Sequence, residues 1–203
     1  MSTVGKQFPS VAVKAMDKMG DTFTLDVVKM AREQKKKIIL FWYPKDFTFV
    51  CPTEIHAFQE AKNDFEKRNT LVIGASCDTP EVHFAWLNTP KDNGGIEGVT
   101  FPLLADSTRA LSSALEILDF NTESKEGDNV TYRATYLINE EGEVFHESVN
   151  HMPLGRNVQE YLRLIDAYAH VQKHGEVCPA NWEPGKEAMS ATREGVSTYL
   201  AKH

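Results

Sequence analysis

The sequence predicts an α/β domain, a central mixed sheet flanked by helices, with a C-terminal arm. Three observations predict it. Residues 37–43 and 71–76 are short runs dense in β-branched and aromatic residues, the mark of strands buried on both faces. Between them, apolar residues fall at offsets of three and four, so strand, helix and strand give a parallel pair. Later, residues 130–138 and 144–149 flank the turn Asn139-Glu140-Glu141-Gly142-Glu143, which reads as a β-hairpin.

Taken in order, residues 1–23 mix short apolar segments with Pro9, Gly20 and Asp21 and read as one or two short strands or a hairpin. Residues 24–34 read as a short helix, and Lys35-Lys36-Lys37 as the solvated approach to the first buried strand. Residues 52–68 carry Ile55, Phe58, Ala61 and Phe65 on one helical face. Pro52 stands in the first turn, where its missing N–H is harmless. Cys77-Asp78-Thr79-Pro80 ends the second strand, and residues 80–88 read as a helix carrying Val82, Phe84, Ala85, Trp86 and Leu87. Asn93-Gly94-Gly95-Ile96-Glu97-Gly98 is a loop whose glycines serve turn geometry. It lacks the strand–helix context of a phosphate cradle, which argues against nucleotide binding. A third strand over 101–105 and a helix over 108–115 follow. Residues 121–129 are a polar surface connection to the hairpin. The last amphipathic helix spans 157–173, with Val158, Tyr161, Leu162, Leu164, Ile165 and Tyr168. The order βαβαβα then ββα suits a thioredoxin-like fold over residues 1–173. From His174 on, Gly, Pro, Asn and charged residues interleave, so residues 174–203 read as an arm and not a second domain. There is no internal repeat and no low-complexity tract.

Composition narrows the function. At 203 residues and 41% hydrophobic, the chain can bury a sizeable core. A formal charge of −7 argues against a nucleic-acid partner, which calls for basic patches. No apolar run approaches membrane-spanning length, and the first ten residues hold no signal-length apolar core. The expectation is a soluble cytoplasmic protein without a membrane partner. The three cysteines, Cys51, Cys77 and Cys178, are too few and too odd in number for a secreted disulfide framework. There is no Cys-x-x-Cys pair, and the seven histidines show no metal-ligand spacing with the cysteines. No nicotinamide or flavin motif is present. No cofactor or metal is expected, and electrons for redox chemistry must come from a partner.

One stretch concentrates the chemistry: Pro44-Lys45-Asp46-Phe47-Thr48-Phe49-Val50-Cys51-Pro52-Thr53-Glu54. It puts Cys51 where a loop leaving a buried strand enters a helix. Helix N-termini present unpaired N–H groups and the positive end of the macrodipole, which stabilise a thiolate. Cys51 is thus either a reactive thiol or a buried structural one. Thr48, three residues earlier, is either the helix N-cap or a hydroxyl aimed at the sulfur. Pro44 removes a donor and stiffens the loop. Glu54 falls in the first helical turn, favourable for a carboxylate.

The same stretch resembles the peroxiredoxin active site, Pro44-x-x-x-Thr48-x-x-Cys51, with matching flanks Phe41-Trp42-Tyr43-Pro44 and Cys51-Pro52-Thr53-Glu54. The resemblance continues in Val177-Cys178-Pro179-Ala180-Asn181-Trp182 and covers nearly the whole chain. It is to the typical two-cysteine peroxiredoxins, which include the alkyl hydroperoxide reductase C type. It implies a thioredoxin-like fold and thiol-dependent reduction of hydrogen peroxide and organic hydroperoxides, in antioxidant defence. Catalytic roles are implied for Cys51, Cys178, Thr48, Pro44 and Arg133, the last as the arginine beside the thiolate. Glu54 and Arg156 are implied as its supporting network. The resemblance also implies that peroxide oxidises Cys51 to a sulfenic acid, resolved by Cys178 of a partner subunit as an intersubunit disulfide. A thioredoxin-like or flavoprotein donor would then reduce it. A homodimer follows, and a ring of five dimers, a decamer. Gly94-Gly95-Ile96-Glu97-Gly98 resembles the Gly-Gly-Leu-Gly loop, and Tyr199-Leu200 the Tyr-Phe pair, of over-oxidisable members. Both depart from the pattern, by an added glutamate and by Leu for Phe. Cys77, at a strand end, reads as a small core residue.

Two other functions compete with this one. A cysteine hydrolase needs a histidine base, and His56 lies about a turn and a half from Cys51 along the next helix. An oligomeric chaperone (holdase) or a peroxide-signalling protein is an alternative of another class, separable because Cys51→Ser removes peroxide consumption and not holdase activity.

Overall fold

A computed structural model describes residues 2–120 and 129–203. The expected polar connection at 121–129 lies, except for Asn129, outside the described residues. The chain divides into two compact units, Met1–Val158 and Gln159–His203. The division falls near the start of the last long helix, not after it.

The first unit is built on a seven-stranded sheet. Its strands are β1 (Val13–Met16), β2 (Thr22–Leu25), β3 (Lys37–Trp42), β4 (Thr70–Ser76), β5 (Leu103–Ala105), β8 (Arg133–Ile138) and β9 (Val144–Asn150), in the spatial order β2-β1-β5-β4-β3-β8-β9. The pairs β3–β4 and β4–β5 are parallel, and β1–β2, β1–β5, β3–β8 and β8–β9 are antiparallel. This is the mixed sheet of a thioredoxin-like fold. Helices α1 (Val27–Gln34), α2 (Cys51–Glu60), α3 (Lys62–Lys67), α4 (Pro80–Leu87) and α5 (Ala110–Ala114) connect the strands of this unit.

β3 shows why the sheet forms. Its side chains alternate between faces, and both faces are covered. Ile38, Leu40 and Trp42 join one core cluster with Phe8, Ala31, Ile73, Leu111 and Tyr136. On the other face Phe41 stacks on Phe58 of α2, ring centres 3.9 Å apart, and meets Phe101 edge-on at 5.6 Å. Burying such side chains is worth roughly 1.5–3 kcal/mol each. The stack fixes α2 against β3 and so fixes where α2 begins.

Several boundaries differ from the sequence reading. The expected helix over 52–68 is two helices that meet at Ala61, where ψ opens to −2°. The bend still delivers Phe65 to the core. The run 130–138 is interrupted at Tyr132, whose N–H donates to the Ile117 carbonyl at 2.9 Å. β7 (Val130–Thr131) therefore pairs with β6 (Leu118–Asp119) in a small second sheet, and β8 starts afresh at Arg133. Every residue of β8 is buried, so it is covered on both faces.

In the second unit α6 (Val158–His174) runs one residue off the expected bounds. The arm holds more structure than its composition suggested. Val177 and Met189 bridge, and α7 (Arg193–Leu200) follows, capped by Thr192 Oγ1, which accepts from Gly195 N at 3.0 Å. Gly195 hid this helix from a propensity reading. Among the described residues no helix is long and apolar enough to cross a membrane.

Candidate active site

β3 is central, and its C-terminal end opens into the loop of residues 43–50, which leads into α2. Cys51 is the first residue of α2 and is fully buried. Thr48 is not the N-cap: that position is Val50, with no side-chain cap. The Thr48 hydroxyl lies 2.9 Å from Cys51 Sγ and 2.8 Å from the Lys45 carbonyl. It donates to one of them and stays within reach of an oxygen brought to the sulfur. Pro44 is buried in the same loop and supplies no N–H.

Sheet register explains how Arg133, far away in sequence, arrives here. β8 runs antiparallel to β3 with Thr135 opposite Phe41, so the start of β8 stands at the C-terminal end of β3. Thr131 reinforces this by donating its hydroxyl to the Tyr43 carbonyl at 3.0 Å. Arg133 is 2% exposed. Its Nη1 lies 3.3 Å from Cys51 Sγ and 2.8 Å from Glu54 Oε2, and its Nε donates to the Met152 carbonyl at 2.5 Å.

β9 returns beside β8 with Asn150 opposite Arg133, so the segment after β9 also lies at this end. That segment supplies the Met152 carbonyl and Arg156. Arg156 holds Glu54 by a fork: Nε donates to Oε1 and Nη2 to Oε2, each at 2.8 Å, and its backbone N–H adds a bond of 2.9 Å to Oε1. Its Nη1 donates to the carbonyls of Trp42 at 2.8 Å and Ala134 at 3.0 Å. Its guanidinium also lies 5.3 Å from the centre of the Phe41 ring.

Glu54 sits between two guanidinia in a buried site. Burial raises its pKa, but Arg156 and then Arg133 outweigh burial and hold the carboxyl below its ordinary value. Glu54 is therefore ionised at neutral pH. Two guanidinia against one carboxylate leave one positive charge in excess, directed at Cys51 Sγ. An anionic sulfur balances the cluster, and an anionic transition state gains in the same way.

The structure thus brings Thr48, Cys51, Glu54, Arg133 and Arg156 into one bonded network, with Pro44 in the adjoining loop. Backbone carbonyls that orient the arginines, those of Met152, Trp42 and Ala134, were not found from sequence. A carbonyl carries no residue signature, so no signal pointed to them.

The remaining cysteines have other surroundings. Cys77 is half-buried, 3.7 Å from Ser112 Oγ, and burial pushes its thiol up to about 11. Cys178 lies in the second unit, with Sγ 3.7 Å from the Ala167 carbonyl. Burial raises its pKa and Glu176 adds to that, while Arg163 opposes both. Trp182 anchors this region: it is 3% exposed and its carbonyl accepts from Arg163 Nη1 at 2.9 Å. His56, the alternative base, has Nε2 3.0 Å from the Gly95 carbonyl. A carbonyl only accepts, so Nε2 carries a proton there and only Nδ1 is left to act as a base. No group of three or more potential metal ligands occurs among the described residues.

Comparisons with known proteins identify the family. A model of the AhpC/TSA family matches residues 4–147. A second model, the C-terminal domain of 1-Cys peroxiredoxin, matches residues 167–202, a segment that here contains Cys178. Alkyl hydroperoxide reductase C of Helicobacter pylori is 47% identical over 169 residues, 83% of this chain and 82% of the relative. Peroxiredoxin-2 of Bos taurus is 42% identical over 176 residues, 87% of this chain and 85% of the relative. The crystal structure of reduced Plasmodium vivax 2-Cys peroxiredoxin superposes with a TM-score of 0.88 at 39% identity, covering 99% of this chain and 100% of the other. With the family model spanning most of its length and relatives this similar, the chain belongs to the AhpC/TSA family of peroxiredoxins and is a thiol-dependent peroxidase.

Proposed function

We propose that this peroxidase reduces hydrogen peroxide and organic hydroperoxides at Cys51. The Cys51 thiolate attacks the terminal oxygen of the peroxide. The O–O bond breaks, sulfur is oxidised to a sulfenic acid, and the departing oxygen takes a proton and leaves as water or an alcohol. Arg133 and the Thr48 hydroxyl stabilise charge as it moves from sulfur to the departing oxygen. Glu54 and Arg156 hold Arg133 in place, and Pro44 stiffens the loop and limits water near the sulfur. The observation that carries this reading is the position of Sγ, 2.9 Å from a hydroxyl and 3.3 Å from a buried guanidinium.

Cys178 of a partner subunit then condenses with the sulfenic acid, releasing water and forming an intersubunit disulfide. A thioredoxin-like or flavoprotein donor reduces that disulfide in the cytoplasm. The working unit is a two-fold homodimer, assembled as five dimers into a decamer. Cys51, at the base of a helix and fully buried, must be released by local unfolding of the first turn before it can form the bridge.

A non-reducing gel after one equivalent of peroxide tests this route. A covalent dimer that is absent in both Cys51→Ser and Cys178→Ser is expected. A shifted monomer contradicts the intersubunit bridge.

A further inference from the structure

A second polar cluster is buried beneath the loop that carries Pro44 and Thr48. His83, on α4, is fully buried, and the Asp46 and His83 side chains both have no exposed surface. His83 Nδ1 lies 2.7 Å from Asp46 Oδ2, and Nε2 lies 3.1 Å from the Leu104 carbonyl on β5. A carbonyl only accepts, so Nε2 carries a proton and donates it. A proton must also lie between Nδ1 and Oδ2, since two lone pairs at that distance repel. It belongs to an imidazolium or to a carboxyl, and in both cases the pair is neutral overall, as burial demands. Asp46 Oδ1 has no hydrogen-bond partner. The Asp46 side chain is therefore held at Oδ2, by that shared proton and by the Tyr43 hydroxyl.

The ionisable groups facing the pair are few. The Tyr43 hydroxyl, just after β3, lies 3.4 Å from His83 Nδ1. Asp78, just after β4, accepts from the Asp46 N–H at 2.8 Å and from Ser76 Oγ at 2.9 Å. Cys51 on α2 acts on Tyr43 by its charge.

What the pair holds is a strained turn. Phe47 lies between Asp46 and Thr48 with φ of 56°, in the left-handed region. For a bulky residue this is a strained conformation that persists only where both flanks are fixed. One flank is Asp46 on His83, with the Phe47 ring 5.8 Å from that of Trp86, also on α4. The other is Thr48, bonded between Lys45 and Cys51.

We propose that Asp46 and His83 are a positioning pair for peroxide reduction. Their shared proton ties the loop to α4 and β5 and keeps Thr48 on Cys51; its loss in alkaline solution releases the loop and slows Cys51 oxidation. The direction of titration agrees. Burial lowers the His83 pKa, but its bond to Asp46 and the charge of Asp46 more than offset that and leave it raised. Burial raises that of Asp46, and His83 opposes this only in part. Because the folded His83 value lies above the unfolded one, the contribution of His83 is full below the ordinary imidazole value. It is lost as pH rises through the folded value.

The proposal rests on Cys51 being the thiol that peroxide oxidises. The test is single-turnover oxidation of the reduced full chain by hydrogen peroxide, across neutral and alkaline pH, in wild type, H83N and H83Q. The Asn amide takes the place of Nδ1 and can donate to Asp46 without titrating. The Gln amide takes the place of Nε2, keeps the Leu104 carbonyl and releases Asp46. Wild type is expected to show an alkaline decline. H83N should keep most of the neutral rate and lose the decline, and H83Q should be slower throughout by roughly tenfold. An H83N profile with the wild-type decline, or H83Q at the wild-type rate, overturns the proposal. Should H83Q fail to fold, the H83N profile decides alone. Peroxide consumption that survives Cys51→Ser overturns the Cys51 reading itself, an outcome distinct from unaltered His83 variants.

Discussion

Arg133 spends its donors on three acceptors of different kinds: a sulfur, a carboxylate and a carbonyl. The carboxylate and the carbonyl fix the guanidinium, and the sulfur receives its field. Truncating Arg133 to alanine removes that field and leaves Glu54 bound only by Arg156. The rate of Cys51 oxidation should fall by roughly 10²–10³, the scale for losing one preorganised donor. Stopped-flow kinetics under single turnover will show it, and an unchanged rate would remove Arg133 from the chemistry. Arg156→Ala breaks a buried ion pair and should cost roughly 3–5 kcal/mol in urea unfolding. Glu54 gives a pH dependence with a definite sign. Its folded pKa is depressed, so its contribution is full above the ordinary glutamate value and is lost as pH falls through the folded one. Unfolding measured from neutral to acid pH should show this acid loss in wild type and a smaller one in Glu54→Gln. At this scale the nearness of Thr48 to Cys51 was foreseeable from residue types and spacing, whereas Arg133 and Arg156 were reached only through the family resemblance. Asp46 and His83 were not legible in sequence, since a lone aspartate and a lone histidine show their pairing only once α4 folds beneath the loop.

α2 carries Cys51 as its first residue, so the order of its first turn governs access to that sulfur. The aromatic stack of Phe41 on Phe58 secures the middle of the helix. Its start has no side-chain cap, and the Val50 carbonyl accepts from the Thr53 and Glu54 N–H groups and from the Thr53 hydroxyl. Side chains hold this turn from outside the helix: Arg133 and Arg156 grip Glu54, and Thr48 and Arg133 reach Cys51 Sγ, so opening the turn must break these bonds. The Gly94–Gly95 loop braces the same helix. His56 of α2 donates to the Gly95 carbonyl, and Trp86 Nε1 of α4 donates to the Gly94 carbonyl at 2.9 Å. A Cβ at Gly95 would overlap the Thr89 carbonyl. Gly95→Ala should therefore destabilise the fold by roughly 1–3 kcal/mol, read as a lower thermal midpoint. An unchanged midpoint would mean that the loop relaxes freely. Strands and helices with strong periodicity, such as β3, β4 and α6, were legible element by element. The break at Ala61, the pause at Tyr132 and α7 were not. Each is decided by tertiary hydrogen bonding or by a cap, and local propensity is a weak guide there.

In the first unit the topology is what assembles the site. An antiparallel strand on one side of β3 and a parallel one on the other bring the end of β3, the start of β8 and the segment after β9 to one place. Sequence positions from 44 to 156 meet there. The strand–helix order made the parallel half of the sheet foreseeable, and the hairpin made β8–β9 foreseeable. The place of Arg133 beside Cys51 was reached in sequence only through the family resemblance, and the pairing of β8 with β3 that delivers it was not foreseen. The second unit holds Cys178 with its own supports, Arg163, Glu176 and Trp182. In the proposed cycle one thiol meets the peroxide and another answers it. The most direct measurement uses Cys178→Ser, in which the first product has no resolving partner. The reduced protein is treated with one equivalent of hydrogen peroxide in the presence of a sulfenic-acid trap, and its peptides are mapped by mass spectrometry. The predicted result is the adduct on Cys51 with Cys77 unmodified. An adduct on Cys77, or peroxide consumed with Cys51 left as a free thiol, would contradict it.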